Sequence, residues 1–177
     1  FLLKLVEDAR ALDSTRLISA AMEYHRDPEN AQKLIVEDPF ADHTDIVSFN
    51  QYVGWYYGMP KDCANIEWHI PYDKPVFISE FGGGAKYGMH GDHLDRWTEE
   101  FQHELYQQTL PMLDKIDGLR GMSPWILFDF RSPRRPLPEI QDFYNRKGLL
   151  SEKGEKKLAW YVLKDYYTNI DRKWRNR

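Results

Sequence analysis

Cysteine is nearly missing from this sequence of 177 residues. Cys63 stands alone, so no disulfide can form within the chain and a cysteine-based metal cluster has no ligands. Long apolar runs are missing as well. No stretch approaches the roughly 20 apolar residues that span a bilayer, and the first residues lack the charged and apolar sections of a secretion signal, so no membrane association is expected. A net charge of −4 with no extended basic run argues against nucleic acid as a partner. The glycine pattern of a phosphate-binding loop is absent too: Gly82-Gly83-Gly84 neither matches G-x-G-x-x-G nor opens onto a helix. His90 reads as a solvated loop histidine, and neither a metal nor another cofactor is expected. A soluble protein of the cytosol or the periplasm fits these features equally, and they leave open whether it forms a homo-oligomer.

What the chain has in quantity is hydrophobic and aromatic side chains, 42% and 15%, with six Trp and eleven Tyr. That is ample for one domain with a substantial core, or for a cleft lined by rings. Residues 1–12 carry Leu2, Leu5, Val6, Ala9 and Leu12 at helical spacing, as a helix already in mid-course. Short strands are predicted over residues 16–22, 45–50, 75–81 and 123–130, with a polar irregular section over 26–43 and a helical turn over 64–69. An amphipathic helix follows with Trp97, Phe101, Leu105, Met112 and Ile116 on one face. The last helix is expected to start at a Ser151 cap and to bury Leu158, Tyr161, Val162 and Tyr166. Residues 131–147 read as a long functional loop, and 171–177 as a solvated basic tail.

Strands recurring every 30 to 45 residues or so, with helices between them, call for a parallel sheet. Four strands with an incoming helix make half of an eight-stranded barrel; a complete flavodoxin-like sheet is the competing architecture. Glu80 ends the most buried-looking strand, Val76-Phe77-Ile78-Ser79-Glu80-Phe81, at the end where active sites of such sheets lie. The glycines after it leave room for a ligand and for unusual backbone angles. Spacing alone leaves open a Glu that caps the next loop or pairs with an arginine.

Five segments carry a resemblance. Asn50-Gln51-Tyr52-Val53-Gly54-Trp55-Tyr56, Ile78-Ser79-Glu80-Phe81-Gly82, Trp97-Thr98-Glu99-Glu100-Phe101-Gln102, Trp125-Ile126-Leu127-Phe128-Asp129-Phe130 and Asn145-Arg146-Lys147-Gly148-Leu149 resemble, in order, the C-terminal half of the catalytic barrel of glycoside hydrolase family 2, β-glucuronidase branch. The resemblance implies an α/β fold comprising strands 5 to 8 of a (β/α)8 barrel, with residues 1–177 forming a partial catalytic domain. It implies a carbohydrate substrate, and Glu80 as nucleophile of a retaining exo-β-glycosidase. Tyr52 would orient that nucleophile, Asn50 would contact the sugar, and Trp125 would floor the sugar site. Asn145 and Lys147 would bind the C6 carboxylate of a glucuronide, with Arg131, Arg134 and Arg135 as candidate reinforcements; Asn-x-Lys-Gly also occurs in members acting on galactosides. The general acid would be the Glu of an Asn-Glu pair before Phe1, supplied by the remainder of the polypeptide. The chain alone would then hydrolyse nothing. A β-galactosidase and a non-catalytic carbohydrate-binding half-barrel are the alternatives.

Overall fold

A computed structural model describes residues 1–176. They divide into two compact units, one of Phe1–Gln51, Asn65–Phe81 and Met112–Ser123, the other of Tyr52–Ala64, Gly82–Pro111 and Pro124–Arg177.

The first unit is built on a four-stranded sheet of β1 (Ser19–Met22), β4 (Ile46–Asn50), β6 (Val76–Phe81) and β7 (Leu119–Pro124), in that spatial order. β1 pairs β4 and β4 pairs β6 in parallel. An α/β chain whose successive parallel strands are neighbours is what part of a barrel presents. Val47, Phe49, Val76, Ile78 and Phe81 fill its core, each at most 1% exposed. The helix α1 (Leu2–Leu12) forms as its periodicity predicts, yet buries no residue, and Arg10 ties it to Asp45 at 2.8 Å.

A second sheet was not legible in the sequence. It comprises β2 (His25–Arg26), β3 (Lys33–Ile35) and β5 (Glu67–His69). Its strands are too short for period-2 alternation to show, and its turn rests on local polar chemistry. Asp27 Oδ1 accepts from Glu29 N–H and Asn30 Oδ1 from Gln32 N–H, at 2.8 and 2.9 Å. Residues 67–69 are therefore strand, where a helical turn was expected; a 3-10 helix precedes them at Pro60–Asn65. The polar section also holds a 3-10 helix, Pro39–His43, capped by Asp38.

In the second unit the long helix α2 (Glu99–Leu113) starts where Thr98 Oγ1 accepts from Phe101 N–H at 3.1 Å. Phe101 and Leu105 pack with Trp55, and Trp97 lies against them from outside the helix. The expected fourth strand lies earlier than predicted. β7 ends at Pro124, which lacks the N–H a ladder needs, and Gly121 lets the Phe77 ring lie where a side chain would be. Residues 131–147 are more than a loop: β8 (Phe130–Arg131) and β9 (Tyr144–Asn145) pair antiparallel within them.

The last helix α3 (Leu158–Arg175) begins after Lys157 and not at Ser151, and it takes in most of the expected tail, Arg177 lying outside the described residues. Ser151 Oγ accepts from Lys153 and Glu155 N–H, closing a turn of its own. Ala159 and Leu163 are the buried residues of α3, while Tyr161 is 49% exposed. Its N-terminus is capped from α2, where Glu99 accepts from Leu158 N–H at 2.9 Å and from Gly88 N–H at 2.7 Å.

Candidate active site

A bulge places the Glu80 carboxylate. Phe49 pairs with Ile78 but Asn50 pairs with Glu80, so Ser79 is an extra residue on β6. Strict alternation would send Glu80 to the face of Val76 and Ile78, into the core. The inserted residue shifts the phase, and Phe81 is buried in its place while Glu80 stays half-buried. Asn50 stands opposite it on β4, and Ser79 Oγ donates to Asn50 Oδ1 at 2.8 Å. Gln51 N–H donates to the Glu80 carbonyl at 2.8 Å and closes the strand ends together.

In the second unit a pocket of about 340 Å³ is lined by Trp55, Tyr56, Arg96, Trp97, Arg135, Gln141, Asn145 and Lys147. Three of these eight side chains are cationic and none is a carboxylate, so the pocket suits an anion. Lys147, only 4% exposed, donates from Nζ to Tyr56 Oη at 2.9 Å. Its ammonium lies 4.9, 5.7 and 5.8 Å from the ring centroids of Tyr56, Trp55 and Tyr52, a three-ring cage for a cation. Burial raises the Tyr56 phenol, but the Lys147 hydrogen bond and the nearby charges of Lys147 and Arg135 outweigh it and hold the phenol below its ordinary value. Arg96 stacks over Trp55 at 5.2 Å, and Arg135 is fixed in the β8–β9 connection, where its carbonyl accepts from Phe143 N–H.

The segment bearing Lys147 is bound on both sides. Asn145 Oδ1 accepts from Lys147 N–H at 3.1 Å, and the Lys147 carbonyl accepts from Ile126 N–H at 3.0 Å. Beneath lies a buried ion pair, Lys157 Nζ to Asp129 Oδ1 at 2.8 Å, with both side chains wholly inaccessible. Burial pushes the Asp129 carboxyl up and the Lys157 ammonium down, each opposed by the other's charge. Arg146 joins this network through Asp129 at 3.3 Å and Glu152 at 2.6 Å.

The predicted site residues thus fall into groups. Glu80 and Asn50 are neighbours in the first unit; Tyr52, Asn145 and Lys147 gather in the second. Trp125 is half-buried against Phe130, with ring centroids 6.2 Å apart, and does not line the pocket. Arg131 lies over the Tyr144 ring at 5.5 Å, exposed, and the guanidinium groups that line the pocket are those of Arg96 and Arg135. The glycines serve packing as well as conformation. The space beside Gly83 and Gly84 is filled by Leu105, Trp55 and Trp97, and Gly82 alone of the three has a positive φ, +128°. Arg96 and Lys157 lie outside the sequence motifs, and Asp129 and Gln102 lie inside them without a role having been read for either. Arg96 directly precedes the Trp97 motif, which is the one local signal for it.

No protein-family model matches the chain. β-Glucuronidase of Streptococcus agalactiae is 32% identical over 144 residues, 75% of this chain and 23% of the relative. The rat β-glucuronidase is 26% identical over 180 residues, covering 94% of this chain and 25% of its own length. The crystal structure of a family 2 β-galacturonidase from Eisenbergiella tayi bound to galacturonate superposes with a TM-score of 0.74 at 25% identity, over 94% of this chain and 29% of that one. The chain spans about a quarter of the length of the curated relatives it matches. In sequence and in fold it is a β-glucuronidase-like stretch of glycoside hydrolase family 2.

Proposed function

We propose that this chain supplies the nucleophile and the carboxylate-recognition half of a retaining exo-β-glucuronidase, as the C-terminal half of its barrel. The observation that carries the reading is the pocket with Arg96, Arg135 and Lys147 and no carboxylate, in a chain whose relatives are named for glucuronides and galacturonides. A uronic acid differs from the neutral sugar by a C6 carboxylate, and a caged, largely desolvated ammonium beside two guanidinium groups is a strong partner for it.

In this reading Glu80, carried clear of the core by the Ser79 bulge, attacks the anomeric carbon, and the sugar leaves its aglycone to form an ester with the carboxylate. Water then attacks the ester and restores the β configuration. A protonated carboxyl group must stand about 5.5 Å from the nucleophile to hand a proton to the leaving oxygen. The remainder of the polypeptide supplies it, and these residues by themselves turn over nothing. Asn50, beside Glu80, contacts the sugar, and Asn145 shapes the turn that presents Lys147.

A galacturonide is the second reading, favoured by the Eisenbergiella tayi neighbour, and it differs only at C4. The test uses the whole protein with p-nitrophenyl β-glucuronide, β-galacturonide and β-galactoside, with Glu80→Gln as control. Glu80-dependent turnover of a uronide, and a fall of about 100-fold in kcat/KM for that uronide in Lys147→Met with the neutral galactoside unaffected, supports the reading. Preference for the galactoside in the unsubstituted protein overturns it.

A further inference from the structure

The Lys157–Asp129 ion pair touches no wall of the pocket, yet its hydrogen bonds converge on the two residues that flank Lys147. Lys157 Nζ donates to the Arg146 carbonyl at 3.1 Å, on one side of Lys147. Asp129 Oδ1 accepts from Gly148 N–H at 2.8 Å, on the other side, and from Lys157 Nζ itself at 2.8 Å. The third donation from Lys157 goes to the Ala85 carbonyl at 2.6 Å, and Ala85 N–H donates to the same Arg146 carbonyl at 2.9 Å. Lys157 N–H holds the Leu149 carbonyl at 3.0 Å. Gln102, fully buried, donates to the Gly83 and Gly148 carbonyls at 2.8 and 3.1 Å, tying this segment to the glycines after Glu80. Gly148 admits this arrangement because an added Cβ would lie 2.3 Å from Asp129 N.

A buried ion pair costs desolvation that a pair of apolar residues would not, so stability alone does not account for it. We propose that Lys157 and Asp129 are positioning residues: they clamp the peptide groups on either side of Lys147 and hold its ammonium where a C6 carboxylate binds. This rests on the reading of Lys147 given above. The pair acts through the backbone and has no contact with substrate, so its effect is on discrimination between a carboxylate and its neutral counterpart.

The test uses the whole protein and two competitive inhibitors, an iminosugar with a C6 carboxylate and the same iminosugar with a hydroxymethyl group. The ratio of their inhibition constants is read for Asp129→Asn, which keeps the shape but drops the charge, and for Asp129→Asn combined with Lys157→Met, which removes both charges together. The expected result is that the preference for the carboxylate falls by about tenfold or more in a folded variant, with the neutral inhibitor's constant unchanged. An unchanged ratio, or equal weakening of both inhibitors, overturns the proposal. So does a failure of both variants to fold, since the network then holds the unit together and not the ammonium. Lys147→Met distinguishes the two levels: if it leaves the ratio unchanged the carboxylate reading itself falls, whereas a loss there with none in the network variants removes only the positioning role.

Discussion

Gly82 shows how tightly single positions are specified around the candidate nucleophile. Its φ of +128° is one that side chains rarely adopt, and an added Cβ would lie 2.6 Å from Tyr106 Oη and 3.3 Å from the Trp125 carbonyl. Gly82→Ala is expected to destabilise the fold by about 1–3 kcal/mol, measured by thermal or urea unfolding. His90 gives a pH signature at the same scale. Its ring Nδ1 lies 2.8 Å from Glu100, and that hydrogen bond and charge raise the imidazole above its ordinary value. A raised folded-state pKa means that the contribution is complete below the unfolded value and is lost as pH rises through the folded one. NMR titration of His90 checks it, and Glu100→Gln lowers the midpoint. Asn145 and Lys147, which share one contiguous motif, do lie together on the pocket wall. The pairing of Asp129 with Lys157 was not legible, although Asp129 lies in one of the motifs, since an ion pair formed across 28 positions has no local pattern and a buried lysine reads in sequence as a solvated one.

Elements were legible where they are long and periodic, as in α1, α2, α3 and the buried run of β6. They were misplaced where packing or a cap from elsewhere decides. α3 begins at Leu158 because Glu99, in the first turn of α2, accepts from its N-terminus. Ser151 has the chemistry of a cap but spends its hydroxyl on a turn. Glu99→Ala is expected to cost roughly 2 kcal/mol or more, since the Gly88 and Leu158 N–H groups both lose their acceptor; Glu99→Gln keeps one and loses less. Hydrogen exchange at the start of α3 is the direct measurement, with faster exchange expected there than in the second half of the helix. The β6 bulge was invisible in sequence, because Ile78-Ser79-Glu80-Phe81 reads as ordinary alternation until its register with β4 is known.

At the scale of the whole molecule the strand order 1-4-6-7, with the parallel pairing of β1, β4 and β6, matches the βα repeat expected from spacing, and the small sheet of β2, β3 and β5 is the addition. The chain spans about a quarter of the length of its curated relatives; under the proposed function these residues would carry nucleophile and carboxylate recognition, and a general acid would come from outside them. Under the proposed function Glu80 forms the glycosyl ester. Incubating the whole protein with a 2-deoxy-2-fluoro β-glucuronosyl fluoride, then mapping the adduct by peptide mass spectrometry, tests it most directly, because the fluorine slows release of the intermediate. A fluoroglucuronosyl adduct is expected on Glu80 and absent in Glu80→Gln; an adduct on another carboxylate, or turnover with inversion and no adduct, overturns the nucleophile role.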